Sequence, residues 1–175
     1  MRWLLAIALL ATTFCARAEY PATEPRLTDK NRISLIQALG ETLRDKRITQ
    51  KQYEQSIAWV NSYPCDGVDR RLTARRKDQL QVAIAKEQKL KTVRVFDSFE
   101  SEGWFILFTD ASVGDEPYLF YSEDPEKGGH PVTAWSGAAT IFETSEMEQW
   151  VKENAPGIPA QLASCFAWHV TLRPE

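Results

Sequence analysis

The sequence predicts an α+β fold in which helices come first and an antiparallel sheet follows. Residues 28–90 carry apolar side chains at helical spacing, whereas residues 92–142 form short β-branched and aromatic runs between turns rich in Asp, Gly, Ser and Pro. A helical segment near residue 145 then precedes a last alternating run. We therefore expect a helical hairpin and a third helix on an antiparallel sheet of about five to six strands, with one helix before the last strand.

The first 18 residues have the order of parts typical of a cleavable signal peptide. A positive Met1-Arg2 precedes the apolar run 3–11, which is too short to span a bilayer, and Ala16-Arg17-Ala18 fits the small-x-small cleavage rule. A lipoprotein anchor on Cys15 is disfavoured because bulky Phe14 precedes it. Cleavage after Ala18 leaves an irregular lead-in (19–27) and one α+β domain (28–175), and no later run predicts a transmembrane segment.

Three threonines mark the starts of the predicted helices. Thr28 or Asp29 caps the first helix and Thr49 the second, and the short connection between these helices predicts an antiparallel hairpin. Thr73 caps a third helix that runs to about Lys89. The apolar stripes that define these helices are Ile33, Ile36, Leu39 and Leu43, then Tyr53, Ile57 and Val60, then Leu80, Ala83, Ile84 and Leu90.

Short apolar runs predict the strands of a meander. They cover residues 93–96, 104–109, 118–121, 132–135 and 139–142, and the second is apolar enough to predict a central strand covered on both faces. The capping-box spacing of residues 145–148 predicts a helix that ends at Pro156-Gly157. The alternation from Leu162 to Leu172 predicts a final strand, with Cys165 and His169 on one face and about 13 Å apart.

Two cysteines remain after the predicted cleavage, Cys65 and Cys165. In an oxidising compartment they most simply form one disulfide, which ties the helical half of the chain to its last element. The alternative is a catalytic thiol, which requires a free Cys65 close to His169. The chain has no Asn-x-Ser/Thr sequon, and this favours a bacterial periplasm over a eukaryotic secretory route.

Charge and histidine content narrow the classes of ligand. The formal net charge is −3, and loss of Arg2 and Arg17 with the signal peptide makes it more negative, which argues against nucleic-acid binding. The two histidines, His130 and His169, lack partners at zinc-site spacing. The loop 110–116 resembles a fragment of a calcium loop, but its glycine is misplaced and position twelve is Tyr121. We expect no metal and no cofactor.

Acidic inter-strand turns are the candidate partner-binding surface. Alternate turns of a meander lie at one end of the sheet, so the loops 97–103 and 122–131 can form one acidic rim. A basic run at residues 70–77 is the competing candidate, and Trp135, beside Ser136-Gly137, is the aromatic residue most expected to be partly exposed. The predicted partner-binding residues are Glu100, Glu102, Glu123, Asp124, Glu126 and Trp135.

These features favour a non-enzymatic periplasmic module that binds another protein. An immunity protein or inhibitor of an envelope-targeting toxin or hydrolase fits them best, because a rigid scaffold with charged loops can close a cationic cleft. One alternative is a carrier of a small ligand or lipid. Another is an enzyme that uses loop carboxylates such as Glu100 or Asp110, since carboxylate pairs need no local motif. No G-x-S-x-G, S-x-x-K, P-loop or C-x-x-C motif is present, and the sequence indicates no oligomeric state.

Overall fold

A computed structural model of the chain describes residues 23–111 and 116–172. The predicted signal peptide, the first part of the lead-in and positions 112–115 of the acidic loop lie outside these residues. The two ranges contain one sheet with helices on both sides, and none of their helices is long and apolar enough to cross a membrane. The elements are α1 (Asp29–Arg44), α2 (Gln50–Asn61), α3 (Ala74–Glu87), β1 (Arg94–Ser101), β2 (Trp104–Asp110), β3 (Tyr118–Tyr121), β4 (Pro131–Trp135), α4 (Thr144–Asn154) and α5 (Ala160–Leu172).

The α+β class and the three leading helices are confirmed. Each predicted threonine cap is formed, because the hydroxyl oxygen accepts a hydrogen bond from the backbone N–H three residues later. The distances are 3.2 Å at Thr28, Thr49 and Thr73. These bonds satisfy N–H groups that the first helical turn leaves without partners.

The sheet is an antiparallel meander in the order β1-β2-β3-β4. Glu102 and Gly103 connect β1 to β2, and both have positive φ, as a tight two-residue hairpin turn requires. The pairing register shifts between Val95 and Asp97, so Phe96 is a bulge. The bulge changes which face the next residues occupy, and Asp97 points to the side opposite Val95.

Two predicted strands are wrong, and the described residues form four strands rather than five or six. The run 139–142 leads into a short 3-10 helix, Ile141–Glu143, because Thr140 and Glu143 form a capping box instead of a ladder. The run Leu162–Leu172 is α5, a helix that follows α4 directly in the chain. Eight residues of this helix are buried, because the core surrounds it on nearly all sides. A helix of this kind has no single apolar stripe, so its sequence resembles the alternation of a strand.

The sheet separates two hydrophobic clusters. On one face Phe99, Ile106 and Phe120 pack with α1, α2, α4 and α5, and this cluster contains most of the core. On the other face Phe105, Leu107 and their neighbours pack against Leu80 and Ile84 of α3. Because β2 contributes to both clusters, it is covered on both faces as predicted.

Cys65 and Cys165 form the predicted disulfide, with the sulfur atoms 2.06 Å apart. Both cysteines are fully buried. The bond joins the α2–α3 connection to α5 rather than to a strand. Such a bond is compatible with an oxidising compartment outside the cytoplasm.

Candidate functional site

Five of the six predicted partner-binding residues lie at the same end of the sheet. Glu100 and Glu102 belong to the β1–β2 hairpin, and Glu123, Asp124 and Glu126 belong to the β3–β4 connection. These two connections share one end because every strand of the meander reverses direction. We call these five residues the acidic rim.

Trp135, the sixth predicted residue, does not belong to the rim. It lies at the end of β4 farthest from the β3–β4 connection, and it is only partly exposed. Its ring packs against Tyr118 and Phe166, with centroid distances of 5.9 and 5.7 Å. Trp135 therefore extends the core at the opposite end of the sheet.

The basic run and the acidic rim meet, so the rim is not uniformly negative. Arg76 of α3 contacts Asp124 at 2.9 Å and also pairs with Glu126. Arg71 pairs with Asp69 instead. Within the described residues, the rim carboxylates that make no ion pair are Glu100, Glu102 and Glu123.

Loss of water around the carboxyl group raises the pKa of Glu100, which is otherwise an exposed residue, and the nearby Asp69 and Asp124 carboxylates act in the same direction. The Arg76 and Arg71 guanidinium groups oppose this rise in pKa without cancelling it. The ionised form of Glu100 is therefore less stable than that of a fully solvated glutamate, and a nearby cationic group on a partner would stabilise it.

A docking groove lies beside the rim, between α3 and the β3–β4 connection. It is open to solvent and has a volume of about 740 Å³. Val82 is the most exposed large apolar residue of the described chain, at 70 %, and it lies in this groove. The groove is lined by Asp78, Gln79, Val82, Ala83, Lys86 and Glu87 of α3, and by Pro125, Glu126, Gly128, Gly129 and His130 of the connection.

The loop wall of the groove is held in place by polar contacts and by close backbone packing. Asp124 accepts a hydrogen bond from the Glu126 N–H at 3.0 Å, which starts the 3-10 turn Pro125–Lys127. A Cβ atom on Gly129 would lie 2.6 Å from the Glu123 carbonyl oxygen, so only glycine fits there. His130 Nδ1 lies 3.2 Å from Glu87 Oε1 and links the wall back to α3. The wall is therefore preorganised.

One sequence signal could have located the groove. Leu80 and Ile84 form the buried stripe of α3, whereas Val82 lies off this stripe, where a polar residue is expected. Val82 is not among the partner-binding residues that the sequence predicts. A loop wall built by contacts 48 residues apart, such as Arg76 to Asp124, leaves no local pattern in the sequence.

A second cluster of polar side chains is buried on the other face of the sheet. Glu24, Arg70, Asp97 and His169 are each less than 6 % exposed. Arg70 forms ion pairs with Glu24 and Asp97, and its Nε donates to the Ser98 carbonyl oxygen at 2.9 Å. We call these four residues the buried charge network.

Histidine 169 completes this network. Its Nδ1 donates to Glu24 Oε1 at 2.9 Å, since a carboxylate can only accept. Its Nε2 lies 3.2 Å from the Tyr118 hydroxyl and 4.0 Å from Asp97 Oδ2. Cys165 and His169 lie one turn apart in α5, so they are closer than the 13 Å expected for a strand. Cys165 is bonded to Cys65, so neither cysteine is a free thiol.

The described residues contain no group of three or more His, Cys, Asp or Glu side chains placed to hold a metal ion. His130 is exposed in the groove wall and His169 is buried in the network, so the two histidines do not meet. Comparison of the chain with protein-family models, with curated proteins and with solved structures gives no match.

Proposed function

We propose that this chain is an exported module that binds another protein through the docking groove and the acidic rim. The observation that carries the proposal is the exposed Val82 in a groove whose opposite wall is fixed by Arg76. Contiguous apolar surface that is rimmed by polar residues marks interaction sites, and Val82 lies in such a groove with Ala83 and Pro125. A fixed wall lowers the entropy that is lost on binding.

The charges around the groove define the chemistry of the partner. Asp78, Glu87 and Glu126 line it, against a single lysine, Lys86. The exposed Glu100, Glu102 and Glu123 extend the negative surface at the same end of the sheet. The complementary partner presents an apolar side chain between lysines or arginines, because such a segment fills the groove and pairs with the carboxylates.

The periplasm is the proposed location, and an immunity protein or inhibitor is the proposed role. The disulfide supports an oxidising compartment, and the order of residues 1–18 supports export. A cationic cleft attracts anionic envelope polymers, and the acidic rim is complementary to a toxin or hydrolase that has such a cleft.

Substitution of Val82 tests the proposal. Residues 19–175 are immobilised and exposed to envelope and secreted fractions, and the captured protein is identified and purified. We expect Val82→Asp to weaken binding of that protein by at least about tenfold in calorimetry, because it places a charge in the apolar centre of the contact. Ile33→Asp, at a 51 % exposed position on α1, is the matched control and leaves the affinity within about twofold.

The inhibitor role has its own readout. The purified partner should lose its activity at a molar ratio near one, and added salt should weaken the complex because the rim is charged. Equal effects of Val82→Asp and Ile33→Asp would exclude the groove. Absence of any stoichiometric partner, with a small molecule bound in native mass spectra, would contradict the proposal and favour the carrier.

A further inference from the structure

The amino-terminal strap, residues 23–28, places one carboxylate inside the protein. The strap has no helix or strand, and Thr23, Pro25 and Arg26 are exposed, whereas Glu24 is 4 % exposed. An isolated buried carboxylate is strongly unfavourable, so its position depends on the groups that receive it. Those groups are Arg70 and His169.

Each group that receives Glu24 is itself held in position by another element. Asp97 of β1 and the Ser98 carbonyl group bind the other nitrogens of the Arg70 guanidinium, whose central carbon lies 3.7 Å from the centre of the Phe99 ring. The Tyr118 hydroxyl on β3 faces the far nitrogen of His169. The receiving groups therefore keep their geometry through β1, β3 and α5, and not through the strap.

The rest of the strap is attached by Leu27, which is partly buried and packs against the larger core cluster, and by surface contacts. The Tyr63 hydroxyl donates to the Glu24 carbonyl oxygen, and Arg26 lies over the Tyr63 ring at 4.1 Å. Arg26 also pairs with Asp66 at 3.1 Å, but both side chains are more than half exposed. Exposed pairs of this kind contribute about 0–1 kcal/mol, so the buried Glu24 carboxylate and Leu27 are the main attachments of the strap.

We propose that Arg70 and His169 form a carboxylate-binding site whose ligand in this structure is the chain's own Glu24, and which an external carboxylate occupies when that side chain is removed. A guanidinium fork and an imidazole N–H are the donors that proteins use for carboxylates. The site stands apart from the docking groove, since it lies on the opposite face of the sheet.

Chemical rescue tests this site. Glutamate differs from alanine by the equivalent of one acetate, so Glu24→Ala leaves a space of that shape between Arg70 and His169. We expect Glu24→Ala to lower the unfolding temperature of residues 19–175 and sodium acetate to raise it again, saturably. At an acetate concentration ten times its dissociation constant, the unfolding equilibrium constant falls about tenfold.

Two controls separate the site from a general salt effect. Sodium chloride and acetamide, at the same concentrations, lack either the shape or the charge, so they give Glu24→Ala only the general effect of added salt or amide. Glu24→Gln fills the space with an amide, so acetate has no room to enter and gives that variant no gain beyond that of sodium chloride. If Glu24→Ala is unfolded alone, folding on addition of acetate, followed by circular dichroism, is the same positive result.

Nuclear magnetic resonance shows where acetate binds. We expect the chemical shifts of the His169 ring nitrogens in Glu24→Ala to change saturably as acetate is added. The proposal is overturned if acetate stabilises Glu24→Ala no more than sodium chloride does. It is equally overturned if Glu24→Ala and Glu24→Gln gain the same amount, or if Glu24→Ala is as stable as the unchanged chain.

Discussion

At the scale of single residues, three of the four arginines in residues 70–76 have three different environments. Arg70 is buried against Phe99 and joins two carboxylates, while Arg71 is exposed and pairs with Asp69 two residues away. Arg76 is intermediate and fixes the groove wall. The sequence predicts a basic run here but cannot separate these environments, because the partners lie 27 to 50 residues away for Arg70 and Arg76.

Glu100 gives the stability of the protein a defined pH dependence. Its pKa is raised in the folded state, so the folded chain binds this proton more tightly than the unfolded chain does. Stability from this group is complete below the unfolded pKa of about 4.3 and is lost as the pH rises through the folded pKa. We expect Glu100→Gln to remove this loss and raise the free energy of unfolding at pH 7, but not at pH 3.

Urea unfolding at pH 3 and pH 7 measures the effect. The same substitution at Glu41, an exposed residue of α1, serves as the control for removal of one negative charge. A gain for Glu100→Gln that is equal at the two pH values would contradict the assigned cause, because a protonated Glu100 resembles glutamine.

At the scale of elements, local signals predict α1, α2 and α3 well but fail for α5. A helix on the surface has one apolar stripe, which identifies its period, whereas α5 is apolar on nearly all sides. The even-numbered apolar residues Leu162, Phe166 and Trp168 then fit the two-residue period of a strand. The bulge at Phe96 is equally invisible in the sequence, yet it decides that Asp97 faces Arg70.

Arg76 and the His130–Glu87 contact both join the groove wall to α3, and the Arg76 ion pairs are the less exposed of the two. We expect Arg76→Met to speed hydrogen exchange in residues 124–130 about tenfold and to destabilise the protein by about 1 kcal/mol, since partly exposed ion pairs contribute little more. Arg75→Met is the matched control, because Arg75 is exposed and makes no ion pair with the described residues. An unchanged rate of hydrogen exchange in Arg76→Met would show that the loop wall keeps its conformation without the Arg76 ion pairs.

At the scale of the whole molecule, the order of elements predicted the α+β class, and the cysteine count predicted the disulfide. The sequence placed the rim loops correctly because a meander puts alternate turns at one end. It could not place Glu24 or Val82, since neither a buried charge in an irregular segment nor a groove between distant elements has a local pattern.

The disulfide spans 100 residues, so its removal should affect the whole fold. We expect replacement of both Cys65 and Cys165 by alanine to lower the free energy of unfolding by about 2–5 kcal/mol, measured in urea, while the far-ultraviolet circular dichroism stays the same. The fold survives because Arg70 and His169 join the same two segments through Glu24. A loss below about 1 kcal/mol would contradict a stapling role.

The same bond turns residues 65–165 into a covalent ring that contains α3, the entire sheet and α4. A protease that cuts this ring once, for example in the exposed segment 136–138, opens it without releasing a fragment. The nicked product keeps the size of the intact protein until a thiol reduces it. Every residue of the docking groove and the acidic rim lies inside the ring, so a single nick there cannot detach the proposed binding surface from the rest of the molecule.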